Sequence, residues 1–228
     1  MRSRFLSFMS LNLVRNWLLG FSVIVTALVA LPASSKLINP GTQTIVVFGD
    51  SLSASYGIGQ NEGWVTLLQA RLTQQKLPYR VVNASISGET TSGGSARFSE
   101  MLAAHKPSIV ILELGANDGL RGLPVSDMRN NLNKMILQAK AAKTKLLLVG
   151  MKIPPNYGQK YSRDFSASYA ILAKQHQIKL VPFLLDGVAG KPSLMQDDDL
   201  HPTTAAQPAL LDNMWKILEK MLKNKDVL

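Results

Sequence analysis

Three residue types in this chain have the chemistry to break an acyl bond together. Ser51 lies in IVVFGDSLSASYG, Ile45 to Gly57, where a β-branched and aromatic run stops at Gly49 and small hydroxyl residues follow. A serine hydroxyl is a weak nucleophile and needs a base within hydrogen-bond reach. The chain has 3 histidines. His105 in AAHKPS and His176 in AKQHQIK read as solvated, at polar helix ends, whereas His201 lies in the loop sequence MQDDDLHPT. Asp198 precedes His201 by three positions, close enough to accept a ring N–H and hold the tautomer. Asp199 competes with it on spacing alone.

An attacked carbonyl develops an oxyanion, which needs donors held in advance. Candidates are the Ser51 N–H, at the start of a helical turn whose dipole favours negative charge, the Gly88 N–H, approachable because glycine lacks Cβ, and the Asn117 side-chain amide. Each residue also has a plainer use. Ser51 could cap a helix, Gly88 could serve a turn, and Asn117-Asp118-Gly119 is good turn sequence. Asp197–Asp199 with His201 could bind a metal, but no other histidine and no cysteine joins them. The order Ser, Asp, His is that of α/β-hydrolases, yet their G-x-S-x-G frame is replaced by Gly49-Asp50-Ser51-Leu52-Ser53. A triad here therefore belongs to a different scaffold and is recognised by role.

The elements that must position these residues follow from periodicity. Short apolar runs at Thr44–Phe48, Tyr79–Asn83, Ser108–Leu114, Lys145–Met151 and Lys179–Phe183 predict strands buried on both faces. Helical spacing puts Trp64, Leu67, Leu68 and Leu72 on one face, and Met128, Leu132, Met135, Ile136 and Ala139 on another, with Ser126 or Asp127 as cap. Phe165–His176 forms a further helix, and a last one aligns Leu210, Met214, Ile217, Leu218 and Met221. Strands alternating with helices predict an α/β domain, a three-layer α/β/α sandwich on a five-stranded parallel sheet spanning about residues 40 to 225. Ligands of such sheets bind beyond the carboxyl ends of the strands. The loops holding Ser51, Gly88, Asn117, and Asp198 with His201 all fall on that rim, and nothing local forces polar residues to gather there.

The 228 residues and 46% hydrophobic composition suit one domain with a sizeable core. The formal charge is +10, of which Arg2, Arg4 and Arg15 supply three within residues 1–35. The remaining excess is scattered, without a block of like charges or aromatic interleaving, which argues against nucleic acid and leaves a mild attraction to anionic lipid or anionic substrates. With 0 cysteines there is no disulfide, thiolate nucleophile or thiolate metal site. The three arginines precede the apolar run Trp17–Leu31 and the small residues PASSK, the pattern of a secretory signal peptide over residues 1–35. An uncleaved anchor is the rival reading. Either way residues 36–228 should work outside the cytoplasm.

FGDSLS, Gly88 in NASISGETT, LELGANDGLRG and DDDLHP together resemble the four blocks of the GDSL, or SGNH, hydrolases. NASISGET, ELGANDGLRG, PPNYG and MQDDDLHP are similar to the bacterial secreted branch of acyl-CoA thioesterases, lysophospholipases and arylesterases. The likeness covers nearly the whole chain after the signal region. Asp199 stands where that branch commonly has glycine. The resemblance implies a flavodoxin-like fold, catalytic Ser51, Asp198 and His201, and oxyanion donors at Ser51, Gly88 and Asn117, with no metal and no organic cofactor. It implies a periplasmic serine esterase and thioesterase, a monomer acting on small-molecule acyl esters, with His201 taking the Ser51 proton and an acyl-enzyme released by water. The DGLRGLPV segment reads either as a mobile wall of an acyl groove or simply as the loop leading into the next helix, with Ile153 and Tyr157 on the same rim. A carbohydrate-ester deacetylase on the same fold, or a non-catalytic lipid-binding protein, are the alternatives.

Overall fold

A computed structural model describes residues 41–223; the expected signal peptide over residues 1–35 lies outside the described residues. The first strand, β1 (Gln43–Gly49), carries Ile45, Val46, Val47 and Phe48, all wholly buried. Branched and aromatic side chains of this kind contribute about 1.5–3 kcal/mol each when fully buried, and a run of them is stable only where helices cover both faces of a sheet. β3 (Ile109–Glu113), the central strand, and β4 (Lys145–Val149) beside it repeat the pattern. β2 (Tyr79–Asn83) and β5 (Lys179–Val181) close the two edges. The order is β2-β1-β3-β4-β5, all parallel, with Val47 opposite both Asn83 and Ile111.

The expectation of strands buried on both faces holds for β1, β3 and β4 and fails at the edges. β2 is only half-buried along its length, and β5 opens with an exposed Lys179. An edge strand has a neighbour on one side alone, so its helical cover is incomplete.

Among the described residues, six helices cover the sheet. α1 (Trp64–Gln74) packs with α6 (Gln207–Lys223), while α4 (Val125–Ala141) packs with α2 (Thr91–His105) and α5 (Gln159–His176); α3 (Ala116–Leu120) is a single short turn against α4. Gln207, buried at the start of α6, accepts the Trp64 N–H at 3.0 Å and so ties α1 to the last helix. The apolar faces expected on α1, α4, α5 and α6 are the buried ones. The cap expected of Ser126 or Asp127 is absent: α4 starts after Pro124, without a side-chain cap.

α2 was not predicted, because Thr91-Ser92-Gly93-Gly94 opens it with poor helix formers. Packing overrides that propensity. A side chain at Gly94 would meet Leu114 Cδ1 at 2.4 Å and Phe48 Cε1 at 3.2 Å, so only glycine lets this helix lie so close to the sheet.

The order 2-1-3 places the switch in strand direction of travel between β1 and β3. Ligands of a doubly wound sheet collect at the carboxyl ends flanking that switch. Ser51 follows β1 there, and Asn117 follows β3.

Candidate active site

Ser51 does not cap a helix. It lies in a tight turn after β1 in which Asp50 O accepts from Ser53 N–H at 3.2 Å and Ala54 N–H at 2.9 Å, and α1 starts only at Trp64. Asp50 Oδ1 accepts the Leu52 N–H at 3.1 Å and fastens the turn from within. At the other end of the chain, Met195 and Pro202 pair across an isolated antiparallel bridge, closing a loop that carries Asp198 and His201.

The two segments meet at hydrogen-bond distance. Ser51 Oγ lies 2.8 Å from His201 Nε2 and can donate to it, while with the ring proton on Nδ1 the imidazole donates to Asp198 Oδ2 at 2.6 Å. The other Asp198 oxygen accepts the backbone N–H groups of Leu200 at 3.0 Å and His201 at 2.9 Å. Partial burial opposes the Asp198 charge, but the His201 ring and these two N–H groups outweigh it and hold the carboxyl at about 2. Asp199, the rival on spacing, does not take this role. Its backbone has φ +55°, a left-handed conformation suited to glycine, and it is Asp198 that meets the ring.

The third group comes from the loops after β2 and β3. Gly88 adopts φ +78°, which glycine permits at no steric cost. Its carbonyl accepts from Arg121 Nη2 at 2.9 Å. Among the described residues neither the Ser51 N–H nor the Gly88 N–H donates to a protein acceptor. Asn117 Nδ2 donates to Asp50 Oδ2 at 3.2 Å and to Glu89 O at 3.1 Å. Its neighbour Asp118 is structural: buried, it accepts from Thr91 N–H at 2.8 Å and Thr91 Oγ at 2.6 Å, which locks α3 to the start of α2 and fixes where Asn117 points.

Sequence reasoning missed an acidic pair beneath the nucleophile turn. Glu113 ends β3 wholly buried; its Oε2 accepts from Ser53 Oγ at 2.7 Å and Asp50 N–H at 3.3 Å, and its Oε1 has no partner. Burial and the Asp50 charge push Glu113 well above the usual carboxylate range. Asp50 is also wholly buried. Burial dominates there too, against the Leu52 N–H and Asn117, and raises its carboxyl to about 7. The signal that could have found the pair is a single acid inside the apolar run SIVILELG.

Two other expectations are corrected. His176 is buried, its Nε2 2.6 Å from Asn133 Oδ1 and its basicity lowered by burial, because the end of α5 turns under α4. Ile153 is buried beneath α3, where a side chain at Gly119 would meet its Cγ2 at 2.6 Å, so it does not line the rim. Tyr157 does lie exposed there; its hydroxyl donates to Leu120 O at 3.0 Å, and that of Tyr161 to Leu123 O at 2.6 Å. Among the described residues no three or more metal-ligating side chains are gathered.

A serine, an imidazole and a carboxylate in series, beside free backbone N–H groups, are equipped for nucleophilic acyl transfer. Known proteins of similar sequence and shape agree. The chain is 49% identical over 180 residues to Esterase TesA of Pseudomonas aeruginosa, covering 79% of this chain and 90% of that protein. It is 38% identical over 216 residues to Thioesterase 1/protease 1/lysophospholipase L1 of Escherichia coli K12, covering 95% of this chain and 99% of that protein. The crystal structure of the psychrotrophic esterase EstA from Pseudoalteromonas sp., inhibited by monoethylphosphonate, superposes with a TM-score of 0.77 at 43% identity, covering 80% of this chain and all of that one. The model of the GDSL-like lipase/acylhydrolase family matches residues 47–208, and the chain belongs to that family.

Proposed function

We propose that the chain is an exported serine hydrolase that cleaves ester and thioester bonds of acyl lipids and aryl esters through an acyl-enzyme on Ser51. The observation that carries this is the unbroken line from Ser51 Oγ through His201, at 2.8 Å, to Asp198, at 2.6 Å. His201 Nε2 takes the hydroxyl proton as Ser51 Oγ bonds to the carbonyl carbon. The resulting imidazolium is stabilised by Asp198, which stays ionised throughout the working range because its carboxyl sits at about 2. The oxyanion falls to the Ser51 and Gly88 N–H groups, and Asn117 swings one amide hydrogen from its protein acceptors onto it. His201 then gives its proton to the departing alcohol or thiol. A water, deprotonated by the same ring, releases the acid and restores Ser51.

Five of the exposed large hydrophobic side chains, Tyr56, Ile86, Leu123, Tyr157 and Leu200, lie in loops that follow the carboxyl ends of the five strands in turn. That apolar rim favours acyl lipids over acetylated sugars and suits transient contact with lipid. Arg2, Arg4 and Arg15 ahead of Trp17–Leu31 support export to the periplasm. Each chain supplies its own serine, histidine and aspartate, so a monomer is sufficient for the reaction.

The purified chain and its Ser51→Ala variant should be assayed on p-nitrophenyl esters from acetyl to palmitoyl. A Ser51-dependent rate that peaks at hexanoyl or longer is expected. A peak at acetyl would replace the lipid reading with a deacetylase, and equal rates from both proteins would sink the acyl-enzyme. Cell fractionation should recover the activity with periplasmic markers.

A further inference from the structure

The nucleophile turn and the loop after β3 are joined by one carboxyl group. Asp50 is wholly buried, and both of its carboxyl oxygens accept hydrogen bonds. Oδ1 takes the Leu52 N–H at 3.1 Å, inside the turn that presents Ser51. Oδ2 takes Asn117 Nδ2 at 3.2 Å. The Asp50 N–H in turn donates to Glu113 Oε2 at 3.3 Å, an oxygen that also accepts from Ser53 Oγ at 2.7 Å. A side chain at Gly49 would meet Glu113 Oε2 at 2.4 Å, so the turn is pressed directly onto this acid. Glu113 Oε1 has no partner. That free oxygen is the better place for a proton held by the pair, which leaves Asp50 as the acceptor.

Asn117 has two amide hydrogens and three acceptors for them: Asp50 Oδ2, Glu89 O at 3.1 Å, and the oxyanion. The two protein acceptors are unequal. Turning the amide away from Asp50 would leave Oδ2 sealed from water without a donor. An ionised carboxyl also accepts more strongly than a peptide carbonyl. Glu89 is half-buried, and its side chain is drawn off to Arg97, whose Nε donates to Oε1 at 2.6 Å. Its carbonyl is neutral. The bond to Glu89 O is therefore the one that yields when an oxyanion forms.

We propose that Asp50 is the positioning residue of the oxyanion hole: it keeps one Asn117 amide hydrogen on Oδ2 as a pivot while the other leaves Glu89 O for the oxyanion. Asp50 touches no substrate and takes no part in the proton transfers. It sets the pose of the group that does touch the substrate. Because the same carboxyl holds the Leu52 N–H, the nucleophile turn and the amide donor are set by one side chain. The inference rests on the acyl-enzyme proposed on Ser51 and on the oxyanion role of Asn117.

The test is a double-mutant cycle on p-nitrophenyl hexanoate, with Ser51→Ala giving the background rate. Asp50→Asn keeps the size of the side chain and can keep the Leu52 N–H on its oxygen, but it then sets an NH2 group against Asn117 Nδ2, donor facing donor. It should lower kcat by about 10- to 100-fold and leave KM within about twofold. With Asn117→Ala already in place, the same substitution should lower kcat by less than about threefold, because the amide it positions is gone. Ser53→Ala is the contrast: it loosens the turn at Glu113 without touching Asn117, so its effect should be equal in both backgrounds. Melting curves report whether each variant folds. Should Asp50→Asn not fold, Asp50→Ala runs the same cycle without a new N–H group. An equal effect of the Asp50 substitution with and without Asn117 would overturn the proposal and leave Asp50 as a brace of the turn alone. So would a change confined to KM, or the same coupling from Ser53→Ala. Those results leave Ser51-dependent hydrolysis intact. A wild type no faster than Ser51→Ala would instead remove the acyl-enzyme reading, and full kcat in Asn117→Ala would remove the oxyanion role from which the proposal starts.

Discussion

Two sets of carboxyl groups flank Ser51, and their surroundings drive them apart. Asp198 is in an exposed loop, takes two backbone N–H groups and an imidazole, and is held at about 2. Asp50 and Glu113 are wholly buried, share few donors, and are raised, Asp50 to about 7. The same functional group is a permanent anion on one side of the nucleophile and a proton holder on the other. The difference teaches that donors per oxygen, weighed against burial, decide the charge. It also divides the labour: the exposed carboxylate serves the reaction, and the buried acids serve the shape of the turn that presents Ser51.

The sharpest way to break this division is Asp198→Asn. It should lower kcat by on the order of 10⁴, the scale seen when a triad carboxylate is lost, with only a modest fall in melting temperature from the loss of the carboxylate's own hydrogen bonds. A large loss of stability with modest loss of rate would assign Asp198 to the wrong class. Next in size is Asn117→Ala, which should cost on the order of 10²–10³ in kcat with KM nearly unchanged, as for an oxyanion donor. A change confined to KM would mean that Asn117 serves substrate binding alone.

Smaller, and confined to stability, is the pH response of the buried pair. The unfolded chain loses the Asp50 proton near the ordinary carboxylate value of ~3.9, while the native state keeps it up to about 7. Between those values the native state binds more protons, so stability falls as pH rises, by at most about 1.4 kcal/mol per pH unit for each such group. Asp198 acts oppositely: its contribution is present above ~4 and is lost as pH falls through its folded value. Melting curves of the wild type from pH 4 to 8 should therefore slope downward, and Asp50→Asn or Glu113→Gln should flatten them. An unchanged slope in both variants would place the titrating groups elsewhere. The smallest effect should come from Asp199→Gly, which relieves a left-handed backbone at φ +55° and should leave kcat/KM within about twofold. A loss approaching that of Asp198→Asn would reinstate Asp199 as the partner of His201.

Much of this was legible in the residues, for reasons that differ between elements. β1, β3 and β4 announce themselves because burial on both faces demands unbroken apolar runs. Ser51, Gly88, Asn117, Asp198 and His201 could be placed together because each follows a strand end, and a parallel sheet sends all such ends to one rim. What stayed hidden depends on contacts between distant positions. Glu113 and Ser53 are separated by 60 residues, and only the packed sheet shows that one accepts from the other. α2 was masked by its glycines, which look like a loop until Phe48 and Leu114 are seen pressed against Gly94. His176 looked solvated because its helix end is polar, and the Asn133 that receives it is on another helix.

The reacting pair itself spans 150 residues, with Ser51 after the first strand and His201 just before the last helix. Closing so long a loop is entropically slow and comes only when the intervening sheet is complete. A chain that has formed its helices but not yet docked its final segment is therefore inert toward esters. Regained hydrolysis during refolding should trail the recovery of helical signal, which makes catalysis itself a reporter of the last step of assembly.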